Sequence, residues 1–152
     1  VGCDIQIGPS GVYNIAMNAT VSGDYAMRLI YNGTNATKSP YSLRVVPNIA
    51  IASSTLLTGP AERSGDTDKA QVMIITLADI FGNHLTKGGN SVVASVTNGA
   101  ELDARSIRVE DMANGTYNLI ALITIAGSYS ISVGLGDIDQ TLPFSPLSLT
   151  VD

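Results

Sequence analysis

Four Asn-x-Thr tripeptides carry the most definite chemistry of this 152-residue sequence, since this sequon accepts N-linked glycans in secreted proteins. The four asparagines are Asn18, Asn32, Asn35 and Asn114. The predicted strands place each of them in a turn or on an outward face, where a glycan would not enter a core. We therefore predict glycosylation at all four. The alternative is turn chemistry that happens to match a sequon, above all in the Asn-Gly-Thr-Tyr sequence that begins at Asn114.

The other candidate polar residues lack the partners that catalysis or metal binding needs. His84 is the only histidine, and no Gly-x-Ser-x-Gly, His-Glu-x-x-His or paired-acid arrangement surrounds it. The pairs Asp66 and Asp68, and Asp137 and Asp139, lack the further oxygen ligands and the glycine of a calcium loop. We therefore predict solvated loop residues at these positions, with no metal, no cofactor and no enzymatic activity.

The composition argues against several classes of function. The net charge is −5 and the eight basic residues are scattered, which disfavours nucleic-acid binding. The most apolar stretch, Leu119 to Ala126, is far shorter than the ~20 residues of a membrane-spanning helix, so no membrane contact is predicted within this sequence. Cys3 is the only cysteine, which excludes an internal disulfide. A buried, reduced thiol is the favoured interpretation, and pairing outside this sequence is the alternative.

The elements that position these residues are predicted to be strands, because apolar residues alternate and Gly, Asn and Asp recur at short intervals. The polar residues 60–69 should form an exposed loop. Seven short antiparallel strands in about 105 residues predict an immunoglobulin-like β-sandwich. The expected strands are Ile49 to Leu57, Ala70 to Ala78, Ser91 to Val96, Ser106 to Val109, Thr116 to Ile125, Ser128 to Leu135 and Leu147 to Val151.

The alternation also predicts which side chains form the core. Asp79 precedes a Gly-Asn turn, and we expect its carboxylate to bond the backbone amides of that turn rather than a ligand. On the last three strands the predicted core residues are Tyr117, Leu119, Ala121, Ile123, Tyr129, Ile131, Val133, Leu147, Leu149 and Val151.

Two parts of the sequence repeat one another. Gly11 to Tyr25 recurs as Gly115 to Tyr129 at an offset of 104 residues. Ser39 to Val45 recurs as Ser145 to Val151 at an offset of 106 residues. One structural unit is therefore used twice, and the two copies differ by a two-residue insertion before the closing strand.

The repeat predicts the domain organisation. We interpret residues 48–152 as one complete unit and residues 1–47 as the last four strands of a preceding unit, so that the sequence is a fragment of a tandem array. Half a sandwich has an open core. Residues 1–47 are therefore expected to be ordered only if the missing strands, or another chain, complete them.

Five short motifs, in this order, resemble those of the filamin-type immunoglobulin repeat. They are Ser53 to Pro60, Asp79 to Asn83, Asn114 to Tyr117, Ala126 to Tyr129 and Ser145-Pro146. The resemblance covers residues 48–152, and its second half recurs in residues 1–47. It departs from the family at Leu147, where an aromatic residue is expected. The resemblance implies an all-β, seven-stranded antiparallel sandwich in tandem repeats.

The resemblance also implies a non-enzymatic function. We expect a structural and protein-interaction module, a spacer repeat of a long extracellular or cell-surface glycoprotein such as a filament or adhesion protein. The alternative is a cytoplasmic, filamin-like scaffold that crosslinks actin or organises the cytoskeleton, which the lone cysteine favours.

The resemblance further implies where partners bind. Filamin-type repeats take up a partner peptide as an added strand beside their third strand, in the groove toward the fourth. The expected partners are neighbouring repeats and other protein chains, by strand addition or filament packing. The corresponding edge here comprises Val92, Val93, Ala94, Ser106, Ile107 and Arg108.

Overall fold

A computed structural model describes residues 1–59, 64–65, 69–98, 107–136 and 140–152. The chain divides into two compact units, Val1–Pro47 and Asn48–Asp152. The interpretation of the first unit as the end of a preceding repeat stays a prediction. Some predicted features lie outside the described residues: Ser106, Asp66, Asp68, Asp137, Asp139 and most of the loop 60–69.

The first unit contains six strands in three antiparallel pairs. β1 pairs with β2, β3 with β6, and β4 with β5. A 3-10 turn at Pro9–Gly11 joins the first two strands. The strands are β1 (Gly2–Ile7), β2 (Tyr13–Asn18), β3 (Gly23–Met27), β4 (Ile30–Tyr31), β5 (Thr34–Asn35) and β6 (Tyr41–Val45).

The described part of the second unit contains nine strands. They are β7 (Leu56–Thr58), β8 (Ser64–Gly65), β9 (Gln71–Thr76), β10 (Val92–Asn98), β11 (Ile107–Asp111), β12 (Thr116–Ala121), β13 (Gly127–Leu135), β14 (Gln140–Thr141) and β15 (Leu147–Val151). One sheet has the order β10-β13-β15-β8, with β14 also paired to β13, and the other has the order β11-β12-β9-β7. Only the short β15–β8 pair is parallel among the described strands. Both sheets contribute to one core, which makes the unit an antiparallel sandwich.

The predicted first strand of this unit is wrong in extent. Ile49 to Leu57 is not continuous, because Ala52–Ser54 forms a 3-10 turn and only Leu56–Thr58 pairs as a strand. The Thr55 hydroxyl donates to the carbonyl of Ile51 (3.2 Å). Local bonds of this kind compete with the strand ladder and explain the interruption.

The remaining predicted strands are found with smaller differences. The fifth predicted strand, Thr116 to Ile125, ends at Ala121. The fourth is found from Ile107 onward and extends to Asp111. The two-residue strands β8 and β14 are additional to the seven that the sequence predicts.

The core of the second unit consists of the alternating residues that the sequence predicts. All ten predicted core residues on β12, β13, β15 and the turn after β12 are buried. Met73 and Ile75 of β9 pack against them, as does Leu142, which the sequence pattern does not identify. Burial of aliphatic side chains from both sheets is the main stabilising contribution to such a unit.

The first unit reproduces the strand pairing of the second half of the second unit. β1 and β2 have the register of β11 and β12, with Ile5 opposite Ile15 as Val109 is opposite Leu119. β3 and β6 have the register of β13 and β15, and β4 and β5 match the end of β13 and β14. The repeated sequence therefore folds with a repeated register.

Tyr25, near the start of β3, and Tyr129, near the start of β13, make the same hydrogen bond. The Tyr25 hydroxyl donates to the carbonyl of Val21 (2.7 Å), and the Tyr129 hydroxyl donates to that of Ile125 (2.6 Å). Each bond ties the strand to the turn before it. The preceding glycine, Gly23 or Gly127, has the same φ of 156° in both copies.

A serine before the last strand is also used in the same way. The Leu29 amide donates to the Ser39 hydroxyl (2.9 Å), and the Val133 amide donates to the Ser145 hydroxyl (2.9 Å). The Ser-Pro peptide bond that follows is cis in both copies. Each serine hydroxyl thus accepts from an equivalent backbone amide, in the place of a carbonyl of a neighbouring strand.

The two copies differ in burial. None of residues 1–47 is buried. Ile15 and Met17 are half-buried, whereas their equivalents Leu119 and Ala121 are buried. Cys3 is exposed, so the expectation of a buried thiol is wrong for this structure, because residues 1–47 contain no strand that covers its face.

Candidate protein-interaction site

β10 and β11 are edge strands of the two sheets of the second unit, and they lie next to each other. Among the described strands β10 pairs with β13 alone and β11 with β12 alone. An edge strand keeps one row of backbone N–H and C=O groups for a further strand, so an extended peptide can add to it.

The predicted edge residues fall on two faces of these strands. Val92 and Ala94 of β10, and Ile107 of β11, are partly buried against the core. Val93 points the opposite way and is 51% exposed, and Arg108 is exposed on β11. The structure therefore brings these five residues together on adjacent strands, and Val93 is the apolar side chain that a partner can reach.

An open groove of about 310 Å³ lies beside β10 and β13. Val93 and Ser95 line it from β10, Thr141 lines it from β14, and Gly134 and Gly136 contribute backbone without side chains. The groove lies on the paired side of β10, over β13 and toward β14, and not along the free edge of β10. Its shallow apolar and hydroxyl surface suits an extended chain better than a compact ligand, which needs an enclosed pocket.

The two edges differ in charge. On β11 the Arg108 guanidinium donates to the Glu110 carboxylate (2.9 Å), and the Asp111 carboxylate accepts a hydrogen bond from the Gly89 amide (2.7 Å). Charged side chains on an edge oppose the addition of another strand. β10 carries none in its sequence, so it is the more receptive edge. A register shift between Val96 and Asn98 ends its regular ladder with β13.

The four sequon asparagines are all exposed. Asn18 ends β2 on the face opposite Ile15 and Met17, as the alternation predicts. Asn32 lies in the β4–β5 turn with a φ of 46°, and Asn35 lies in β5. An attached glycan at any of these positions would extend into solvent.

Asn114 has a structural role of its own. Its side-chain oxygen accepts hydrogen bonds from the Thr116 amide (3.0 Å) and the Thr116 hydroxyl (2.7 Å). This arrangement is an Asx turn, which stabilises the hairpin between β11 and β12 without any glycan. Turn chemistry, the alternative reading of this sequon, therefore has direct support at Asn114.

The Asp79 carboxylate organises the turn after β9. It is buried and accepts hydrogen bonds from the amides of Phe81 (2.9 Å), Asn83 (3.0 Å) and Asn48 (3.1 Å), and from the Asn83 side chain. Burial raises the pKa of Asp79, but these donors outweigh it and lower the pKa to about 2. The prediction that Asp79 bonds its own turn is confirmed, and His84 in the same turn is exposed as expected.

The same turn presents an apolar pair that sequence reasoning missed. Ile80 is 66% exposed and Phe81 is 59% exposed, on a turn whose Phe81 amide donates a hydrogen bond to Asp79. The available signal was the apolar dipeptide inside an otherwise polar Asp-x-x-Gly-Asn turn, where a buried position is not expected.

Two findings on the described residues concern membrane-spanning helices and metal-binding clusters. The part of the chain that the structure describes contains no helix long and apolar enough to cross a membrane. Within the same residues, His, Cys, Asp and Glu side chains do not gather in groups of three or more that could hold a metal ion.

Two antiparallel sheets around a shared core, with a register of this kind, define an all-β, immunoglobulin-like sandwich. No known family profile matches the sequence. Among solved structures, the Lin-41 filamin domain matches with a TM-score of 0.54 and 16% identity, over 68% of this chain and 96% of that domain. The resemblance to a filamin-type repeat is therefore confirmed at the level of the fold.

A bacterial adhesin and a bacterial integrin-binding protein have the same fold. The Escherichia coli adhesin FdeC matches with a TM-score of 0.55 and 19% identity over 79% of this chain, and the integrin-binding protein invasin with 0.52 and 16% over 93%. The chain spans 37% of the FdeC chain and 27% of the invasin chain. These similarities concern the fold alone.

Proposed function

We propose that this chain is a non-enzymatic spacer and protein-interaction module of a long extracellular or cell-surface glycoprotein, such as an adhesion or filament protein. The observation that carries the proposal is the duplication, in which one half-sandwich occurs twice with the same register and the same Tyr and Ser hydrogen bonds. Tandem sandwich units give length and stiffness, which is what a spacer supplies.

Two further observations support the extracellular setting. The solved structures with this fold include a bacterial adhesin and an integrin-binding invasin. All four sequon asparagines are exposed, so each is accessible to glycosylation. The proposed glycosylation sites are Asn18, Asn32, Asn35 and Asn114.

The proposed partner-binding edge is β10, with β11 beside it. A partner segment adds as a strand along Val92, Val93 and Ala94, and contacts Ile107 and Arg108 across the gap between the sheets. Either a neighbouring repeat or another protein chain can supply this strand.

The second candidate is a cytoplasmic, filamin-like scaffold of the cytoskeleton. The observation that favours it is the similarity to the Lin-41 filamin domain, nearly all of which is matched. The single cysteine is also compatible with a reducing compartment.

Glycopeptide mass spectrometry of the protein from its own cell separates the two candidates. We expect N-glycans on at least two of the four asparagines. As matched controls, Thr34→Ala and Thr37→Ala each remove one sequon and leave the asparagine in place, so each should abolish only its own glycan. Four unmodified asparagines would overturn the extracellular assignment and favour the cytoplasmic scaffold.

Photo-crosslinking on the native, assembled protein tests the edge. A photoreactive residue at Val93 should crosslink to a strand of a neighbouring repeat or partner. The control position is Ile74, which is 42% exposed on β9 and has strand partners on both sides, Asn118 of β12 and Thr58 of β7. Equal crosslinking at both positions would contradict a binding edge at β10.

A further inference from the structure

The first unit has a break where the second unit has a continuous strand. β13 is unbroken over Gly127–Leu135, but its counterpart is divided into β3 and β4 by Arg28 and Leu29. The equivalent residues of β13 are Ser132 and Val133, which pair with β10 and with neither β14 nor β15. The break therefore falls at two residues, Arg28 and Leu29, whose counterparts in the second unit have β10 as their strand partner.

The inward face of the first unit is apolar and incompletely covered. In the second unit the equivalent face is covered by the strands that precede it, through Met73 and Ile75 of β9 and Val92 and Ala94 of β10. Residues 1–47 contain no counterpart of these strands. The face comprises Cys3, Ile5, Ile15, Met17 and Met27, whose equivalents in the second unit are Ile107, Val109, Leu119, Ala121 and Ile131.

We propose that residues 1–47 are one half of a sandwich whose other half precedes Val1 in a longer polypeptide. The covering segment resembles residues 48–98, with counterparts of β7, β9 and β10. Its second strand pairs with β2 as β9 pairs with β12, and its third pairs with residues 27–31 as β10 pairs with β13. This last pairing makes β3 and β4 one strand.

The geometry favours this occupant over a single foreign strand or a second copy of the chain. The face has two open ladder edges, on β2 and on β3–β4, and one added strand would pair with only one of them. The covering strands within this sequence, β7, β9 and β10, already pack in the second unit. A second copy therefore has no such strands to donate.

Cys3 provides a native probe of this face, because it occupies the position of Ile107. The experiment compares residues 1–152 with the natural, longer polypeptide, and measures alkylation of Cys3 by N-ethylmaleimide with peptide-resolved mass spectrometry. We expect Cys3 to react at least ~10-fold more slowly in the longer polypeptide, because the equivalent Ile107 is partly buried against the core and full access would need a local opening of the strand.

Two matched variants calibrate the rates. Cys3→Ser combined with Ile107→Cys places the thiol at the equivalent position of the second unit, and its rate in residues 1–152 is the value expected for Cys3 in the longer polypeptide. Cys3→Ser combined with Asp4→Cys places the thiol on the outward face and should react rapidly in both proteins.

Hydrogen exchange gives an independent measurement at the break. Successive amides in a strand point to opposite sides, and the Leu29 amide bonds Ser39, so the Arg28 amide points to the side where β10 lies in the second unit. The Arg28 amide should exchange rapidly in residues 1–152 and slowly in the longer polypeptide, whereas Ser132 is protected in both.

Equal alkylation of Cys3 in the two proteins would overturn the proposal, as would rapid exchange of Arg28 in the longer polypeptide. Protection of residues 1–152 that rises with their own concentration would also overturn it, in favour of a second copy. The inference rests on the fold and not on the compartment, so its failure would leave the glycosylation result and the proposed function unchanged.

Discussion

Tyr25 and Tyr129 have similar neighbours in sequence, the same strand register and the same hydrogen bond to a carbonyl four residues earlier, yet only Tyr129 is buried. The same contrast separates Ile15 from Leu119. Strand pairing and turn geometry are therefore encoded within the half-sandwich itself. Burial depends on β7, β9 and β10, which the second unit has and which have no counterparts in residues 1–47.

The contrast has an energetic consequence. Fully burying a Leu or Ile side chain stabilises a fold by about 1.5–3 kcal/mol, and partial burial contributes less. Isolated two-stranded ladders are only marginally stable in water. We therefore expect the second unit of residues 1–152 to unfold cooperatively, and substitutions in the first unit to have little effect on that transition.

The largest difference between the copies is expected for truncation of the core side chain on β12, Leu119, and of its counterpart on β2, Ile15. Leu119→Ala should destabilise the second unit by about 4 kcal/mol, because it leaves a cavity at a position with no exposed surface. Ile15→Ala, the matched variant, should leave that transition unchanged. Urea unfolding followed by far-UV circular dichroism measures both, and equal destabilisation would mean that the copies do not differ in packing.

A smaller difference is expected between the glycine that precedes β12, Gly115, and its counterpart before β2, Gly11. Gly115 has a φ of 85°, and a Cβ there would collide with the Leu85 carbonyl. Gly115→Ala should cost about 3 kcal/mol, from the positive φ together with the collision.

Gly11 is the control for this prediction. It has a φ of 77° and open space around its missing Cβ, so Gly11→Ala should cost only about 1 kcal/mol, confined to the first unit. Peptide-resolved hydrogen exchange locates each effect. Equal costs would show that the backbone angle alone, and not the contact with Leu85, requires glycine.

The tyrosine pair should show a difference of about 1 kcal/mol. Tyr129→Phe removes the bond from a buried hydroxyl to the Ile125 carbonyl, whereas Tyr25→Phe removes the same bond from a partly exposed side chain, where water replaces it. Urea midpoints measure the first effect and hydrogen exchange of β3 measures the second. Loss of structure in the first unit on Tyr25→Phe would show that this bond, rather than burial, holds the half-sandwich together.

The parts of the fold that could be predicted from the sequence are those that neighbouring residues determine. The alternation of Tyr117, Leu119 and Ala121 identified the core face, and Asn114-Gly115 identified the hairpin turn. The apolar run before Leu57 suggested a strand, but local backbone hydrogen bonds, together with the bond from the Thr55 hydroxyl to the Ile51 carbonyl, form a 3-10 turn instead. No period marks Leu142, whose burial depends on how a loop packs on both sheets.

The candidate site divides in the same way. Exposure of the sequon asparagines follows from strand alternation and turn residues, so it could be predicted. The edge position of β10 depends on the order of strands in a sheet, which the residues of β10 do not encode, and only the family resemblance suggested it. The expectation for Cys3 failed because residues 1–47 contain no strand that covers its face.

Acid should destabilise the second unit through protonation of Asp79. Residues 1–47 contain no counterpart of Asp79. Its pKa is lowered from 3.8 to about 2 in the folded unit, so the folded state holds this proton less tightly than the unfolded chain. The stabilisation is complete above about pH 4 and is lost as the pH falls toward about 2. The urea midpoint of the second unit should therefore fall over this range, and Asp79→Asn should remove that part of the decrease while other carboxyl groups still titrate. An unchanged pH profile in Asp79→Asn would mean that the hydrogen bonds from Asn48, Phe81 and Asn83 do not favour the charged carboxylate.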